Sequence, residues 1–373
     1  MALLGLTTAD ATVVFAQTSD PMVTITMYLT TSCGDTAHQV IHKSDNYALN
    51  MRVTVFILSC YAAIAQFSAL DQQSPVKDFH PSPPGTRRTI PSLYSHRYSE
   101  QTFIGTHNAA AIRTRENNWS LSGNQYYNIS TQLAAGIRLL QAQGHRDPNG
   151  SDDIRLCHFN CALMDGGSLL DFLRTVEDFL QRNPDEVLTL LFVNTGVPLA
   201  SWVKAFFEAR LDILSYVPPA NKRHGQMRTS DWPTIAHMVA TNKRLVTFLS
   251  SGADEDAVPF LLPEFDYIFE TDFGIESPDQ YSCAPARPRY ANESFVPDRL
   301  SLVNHFLYAK FLGFRYPNAS FAGETNAAGF RVGELGEHAV RCRSAYGRRP
   351  NFLLVDFFNE GDVFAVDEGL NRY

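Results

Sequence analysis

Two histidines and one aspartate each follow a short apolar run: His107 after Phe103-Ile-Gly-Thr106, His158 after Ile154-Arg-Leu-Cys157, and Asp356 after Phe352-Leu-Leu-Val355. Free imidazole titrates near pH ~6.5, so at neutral pH one ring can take a proton while another delivers one. A carboxylate beside the first ring would orient it and steady the charge it gains. His107, His158 and Asp356 are therefore the candidate catalytic set. Each has a plainer reading as well. Either histidine alone could be a hydrogen-bonded structural residue, and Asp356 could cap a helix in Asp356-Phe-Phe-Asn359-Glu360-Gly361.

Elements must bring these distant residues together. Short apolar runs occur at 102–105, 137–140, 154–157, 187–193, 245–249, 267–269, 302–307 and 352–355. The run 187–193 is nearly continuous in apolar residues, as suits a parallel strand covered on both faces. Before it, Ser168 and Asp171 form an N-cap signal close to a capping box. Leu169, Phe172, Leu173, Val176, Phe179 and Leu180 then make one stripe, which Asn183-Pro184 ends. A second helical pattern covers 334–346. Eight runs separated mostly by helical or loop segments predict a (β/α)8 TIM barrel over 92–373. A doubly wound sheet is the rival, but no Gly-rich loop follows the first run. Asn108, Gln141, Gln143, Asn194, Glu270, Asp272, Asn304 and His305 also stand at or just past run ends, where a barrel gathers its functional face. Of these, Asn108, Gln141, Gln143, Asn304 and His305 are the expected substrate-binding residues. Arg138 has the opposite parity to Gln141 and Gln143, so a structural ion pair is expected of it. Trp202 and Trp232 are expected in packing.

The chain of 373 residues is 45% hydrophobic, and 31 Lys and Arg face 39 Asp and Glu. A net charge of −8 leaves no basic surplus for phosphate backbones, so no nucleic-acid partner is expected. Met51-Arg52 precedes a charge-free apolar stretch at 53–65. It is too short for a bilayer span of about 20 residues, but it fits a signal peptide at 51–65 cleaved before Gln66. Residues 1–50 then read as a non-native N-terminal extension, with an internal signal-anchor as the rival, and 66–91 as a polar tether. Secretion leaves Cys157, Cys161, Cys283 and Cys342, which allow three pairings; a local Cys157–Cys161 loop and a long Cys283–Cys342 bridge are favoured. Sequons at Asn118, Asn128, Asn149, Asn292 and Asn318 suit a glycosylated extracellular protein.

Phe103-Ile-Gly-Thr-His107-Asn108, Gln132-Leu-Ala-Ala-Gly136-Ile-Arg138 and Leu156-Cys-His158 resemble the X-domain of phosphatidylinositol-specific phospholipase C. Glu186-Val-Leu-Thr-Leu-Leu-Phe192, Leu302-Val-Asn-His305 and Leu354-Val-Asp356-Phe357 match its later strands. Leu139-Leu-Gln-Ala-Gln143 is similar to the secreted fungal branch of PLC-like phosphodiesterases. The resemblance implies that His107 is the base, His158 the acid, and Asp356 the carboxylate supporting the base. It also implies that Asn108 stands where calcium-dependent members carry a metal ligand. Their Glu-x-Asp is Gln141-Ala-Gln143 here, and Val193 stands near their fourth-strand Glu, so neither calcium nor magnesium is expected as a cofactor. The Arg that metal-independent members place near Gln143 is absent as well; His145 or Arg146 could take its place. The expected partner is a phospholipid or other phosphodiester substrate, with peripheral membrane contact by a monomer. Two rivals remain: a catalytically impaired barrel binding a lipid headgroup or glycan, and a magnesium-dependent relative of glycerophosphodiesterase or sphingomyelinase D type.

Overall fold

The computed structural model describes residues 94–372 except Asn118, Glu293 and Leu312, together with four strand backbones nearer the start. Two compact units emerge, Met1–Pro75 with Ala309–Tyr316, and Val76–Tyr308 with Pro317–Tyr373. In the first, Ala2–Thr7 pairs antiparallel with Thr12–Gln17, and Ile25–Thr30 with Thr36–Ile41. The expected signal peptide at 51–65 and tether at 66–91 lie outside the described residues. So does the Asn118 sequon, and so does the expected extension at 1–50 apart from those strand backbones.

The second unit contains the strands β1 (Phe103–Thr106), β2 (Leu139–Arg146), β3 (Ile154–Cys157), β4 (Asp165–Ser168), β5 (Leu188–Asn194), β6 (Leu245–Leu249), β7 (Leu261–Pro263), β8 (Ile268–Glu270), β9 (Leu300–His305) and β10 (Phe352–Val355). Eight are neighbours in the order β7-β6-β5-β2-β1-β10-β9-β8. Every ladder along that path is parallel. The first and last strands pair directly, with Leu354 opposite Gly105. This is a TIM barrel wound in chain order. Among the described residues no ladder joins β7 to β8, so the seam falls there.

One expected run is not a barrel strand, and one barrel strand lies outside the expected runs. Residues 154–157 form no barrel strand; β3 returns antiparallel along the tail of β2 and pairs with β4. A parallel crossover needs about a dozen residues, and the short turn through Asp147-Pro-Asn-Gly150 cannot supply them. The remaining barrel strand is β7, which is three residues long and ends at Pro263. So brief a run carries no readable alternation.

The main helices are α1 (Ile129–Ala135), α2 (Leu169–Arg182), α3 (Leu199–Glu208), α4 (Ile235–Ala240), α5 (Leu335–Tyr346) and α6 (Val363–Arg372). At the start of α2 the Ser168 side chain accepts the Leu170 N–H at 3.1 Å, a cap made by Ser168 alone. Side chains alternate across a strand, and this alternation sorts the core into two layers. Phe103, Leu139, Leu191, Ile268, Leu302 and Leu354 fill the barrel interior. Ile104, Leu140, Leu190, Val303 and Val355 face the helices, where Leu173, Val176, Phe206 and Leu335 cover them. Trp202 and Trp232 are both buried, as expected of packing residues.

Candidate active site

Carried to the C-terminal strand ends, the interior parity passes through His107, Gln141, Gln143, Glu270, Asn304 and Asp356. These ends share one face because all eight strands run parallel. His107 and Asp356 follow adjacent strands, β1 and β10, and this adjacency makes their contact. The His107 Nδ1–H donates to Asp356 Oδ1 at 2.9 Å in a buried pair. A carboxylate accepts only, so the proton sits on Nδ1 and Nε2 is left as the basic atom. The Asn124 amide also donates to Asp356 Oδ1, at 2.9 Å, and fixes the carboxylate from a second side. Phe306 stacks on the His107 ring at 3.9 Å between centroids. Sequence reasoning missed Asn124 and Phe306. Phe306 continues the interior parity of β9, whereas Asn124 lies in a loop without periodic signal.

Asn108 adopts a positive φ of 44°, a left-handed turn that asparagine tolerates better than most residues. Its N–H donates to Gln141 Oε1 at 2.7 Å, and its amide donates to His107 Nε2 at 3.0 Å. Asn108 and Gln141 are thus both drawn to the base. Gln143, two residues further along β2, is half-buried on the same side.

His158 arrives by a different route. It follows the ribbon strand β3, and the Cys157–Cys161 disulfide closes the loop around it. Its Nδ1–H donates to the Ser122 carbonyl at 2.7 Å, which leaves Nε2 bare. The ring centroids of His107 and His158 lie 6.1 Å apart. Two oxygens of one phosphodiester could then each meet a ring over hydrogen bonds of about 2.8 Å. Burial, then the neighbouring His107, pushes the His158 pKa down to about 3, against a smaller upward pull from the Ser122 carbonyl. Free His158 is therefore neutral at pH 7, contrary to the protonated acid that the sequence reading assigns to it.

The remaining candidates divide. The Asn304 amide donates to Glu270 Oε2 at 3.2 Å and to the Thr271 carbonyl at 2.8 Å, and Glu270 is paired with Arg287. These residues line the β8–β9 side of the same face. His305 is not brought to the cluster. One residue beyond Asn304, it points to the helix layer, where its Nδ1 faces His338 Nδ1 at 2.9 Å and Tyr281 stacks on it. Arg138 also points outward and makes a bidentate ion pair with Glu186. Arg146 donates to the Gly196 carbonyl at 3.1 Å, while His145 is half-buried on the Gln143 side of β2. Cys283 and Cys342 are bonded, which completes the favoured pairing. Of the described sequons, Asn128, Asn149 and Asn292 are exposed and Asn318 is half-buried.

A family model described as PI-PLC X 1 matches residues 93–371. This chain belongs to the PI-PLC X family. A PI-PLC X domain-containing protein 1 from Arthroderma benhamiae is 37% identical over 284 residues, covering 75% of this chain and 88% of the relative. A second protein of that fungus, described as an uncharacterized secreted protein, is 33% identical, covering 78% of this chain and 66% of the relative. A variant of the phosphatidylinositol-specific phospholipase C from Staphylococcus aureus superposes with a TM-score of 0.50 at 12% identity. It covers 74% of this chain and 93% of that one, a likeness of fold.

The residues present do not suit the calcium of some PI-PLC X members. Gln141 Oε1 is already engaged by a backbone N–H, Val193 has no side-chain donor, and Asp356 faces the opposite edge of His107 from Asn108. What remains on the Asn108 side is neutral amide oxygen, the buried, unpartnered Asn108 Oδ1 and the half-buried Gln143 side chain, where a hard dication takes six to eight oxygens, carboxylates prominent among them.

Proposed function

We propose that this PI-PLC X chain is a secreted phosphoric diester hydrolase that cleaves a phosphoinositide-like or other phospholipid phosphodiester by metal-independent acid–base catalysis. The observation that carries this reading is the Asp356–His107 pair with His158 a ring's reach away, at the C-terminal end of a parallel barrel. His107 Nε2 takes the proton of the attacking hydroxyl once substrate displaces the Asn108 amide from it. Asp356 steadies the imidazolium that forms. The leaving alkoxide is protonated from His158 Nε2. That atom must first gain a proton, and the phosphodiester anion supplies the reason: a negative charge against a buried ring raises its pKa. Substrate thus creates its own general acid. Phe159 and Leu163, exposed beside His158, offer an apolar rim to a lipid surface.

The reading predicts cleavage in a panel of phosphodiesters that survives EDTA and vanishes in His107→Ala. Activity lost to EDTA and restored by calcium would overturn it. The neutral Gln141 and Gln143, together with the depressed His158, favour a second reading: a barrel that binds the headgroup without turning it over. Saturable headgroup binding with no cleavage of any panel member decides for that alternative.

A further inference from the structure

A cavity of about 540 Å³ lies at the opposite end of the barrel, below the N-terminal ends of β1 and β10. Four arginines line it, Arg97, Arg343, Arg348 and Arg349, with His96 and a single carboxylate, Glu100. Such a concentration of cations is unusual in a chain of net charge −8. It is also poorly neutralised. The Glu100 carboxylate is held by the Arg97 backbone N–H at 2.7 Å. Arg97 spends its guanidinium on the Trp232 carbonyl, and Arg349 on the Glu100 carbonyl. Arg348 is braced by Asn351 and the Val296 carbonyl, while its Nε is buried and unpartnered. His96 Nδ1 is likewise buried without a partner, and Arg343 makes no hydrogen bond or ion pair with a described residue.

Arg348 is pushed down to about 10 by burial, and Arg349 is lowered by burial and then by the charge of Arg343. Desolvation and mutual repulsion both disfavour these charges, and an anion in the cavity would relieve both. The volume is that of a small-molecule site, and guanidinium is the side chain best shaped for tetrahedral oxyanions.

We propose that this cavity is a second binding site for a small polyanion bearing two or more phosphate or sulfate groups, independent of the catalytic face. The test is calorimetric titration of the full chain at low salt with inorganic pyrophosphate and, in a parallel arm, a doubly sulfated disaccharide. Whichever binds identifies the source of the oxyanions. Saturable binding is expected that weakens with added salt, persists in His107→Ala, and falls by about tenfold in Arg343→Gln, the expected loss for one charge-assisted contact. Arg343 carries no bond within the described fold, so an unchanged melting temperature should accompany that loss. The proposal is overturned if neither probe binds, if Arg343→Gln binds like wild type, or if His107→Ala abolishes binding, which would place the anion among the catalytic residues.

Discussion

Asp356 shows how much one carboxylate can decide. Its bond to Nδ1 selects the tautomer whose Nε2 is basic, so Asp356→Asn should keep the fold and lower kcat by about 10²–10⁴-fold. Steady-state kinetics should place the loss in kcat rather than KM; a loss confined to KM would recast Asp356 as a binding residue. His158 makes a complementary prediction. Its burden is protonation of the leaving group, so His158→Ala should cost least on substrates whose leaving alcohol is already acidic, such as nitrophenyl esters. Equal losses across a leaving-group series would remove its role as acid. At this scale the histidines and Asp356 were readable in the sequence because each closes an apolar run. Asn124 and the Ser122 carbonyl were not, since loops of irregular backbone leave no spacing to read.

The element that matters most for His158 is the β3–β4 ribbon, an excursion from the end of β2. The two disulfides act at different levels within this framework. Closing a four-residue separation restricts the unfolded chain by about 2 kcal/mol, and closing 59 residues by about 4 kcal/mol. Replacing Cys157 and Cys161 by serine should therefore reduce turnover more than stability, and replacing Cys283 and Cys342 should do the reverse. Paired melting and kinetic measurements check both, and a large activity loss in the second variant alone would refute the assignment. Gly144 on β2 tests the ribbon's foundation, because a Cβ there would overlap the Trp202 ring. Gly144→Ala should cost about 1–3 kcal/mol in a denaturant titration, the usual cost of overpacking.

The whole molecule buries neutral imidazoles in two places. Burial lowers the pKa of His158 to about 3, that of His338 to about 4, and that of His305 well below its ordinary value. The unfolded chain binds protons at these sites near pH 6.5, where the folded one does not, so stability rises with pH across the window between. The melting temperature should fall as the pH drops from 7 toward 4, and His158→Asn should flatten that slope; an unchanged slope would show that His158 is not a source of it. Among the described residues no helix is long and apolar enough to cross a membrane. If the chain is exported as proposed, the secreted form should begin near Gln66 and resist alkylation at all four remaining cysteines.

The sequence alone determined the barrel, because buried parallel strands must be short apolar runs and the polar residues ending them must gather on one face. It also marked His107, His158 and Asp356 as the candidate acid–base set, favoured the Cys157–Cys161 and Cys283–Cys342 pairing among three, and gave Arg138 the ion pair it makes with Glu186. Tertiary structure decided what periodicity cannot encode. Residues 154–157 read as a barrel strand until pairing made them a ribbon, since an apolar run looks the same in either role. His305 followed Asn304 at a strand end, and only the parity fixed by the packed interior sent one ring to the helices and one amide to the site. The charge of His158 was likewise invisible, because a pKa is set by the atoms that exclude water from the ring, and those come from parts of the chain far from it in sequence.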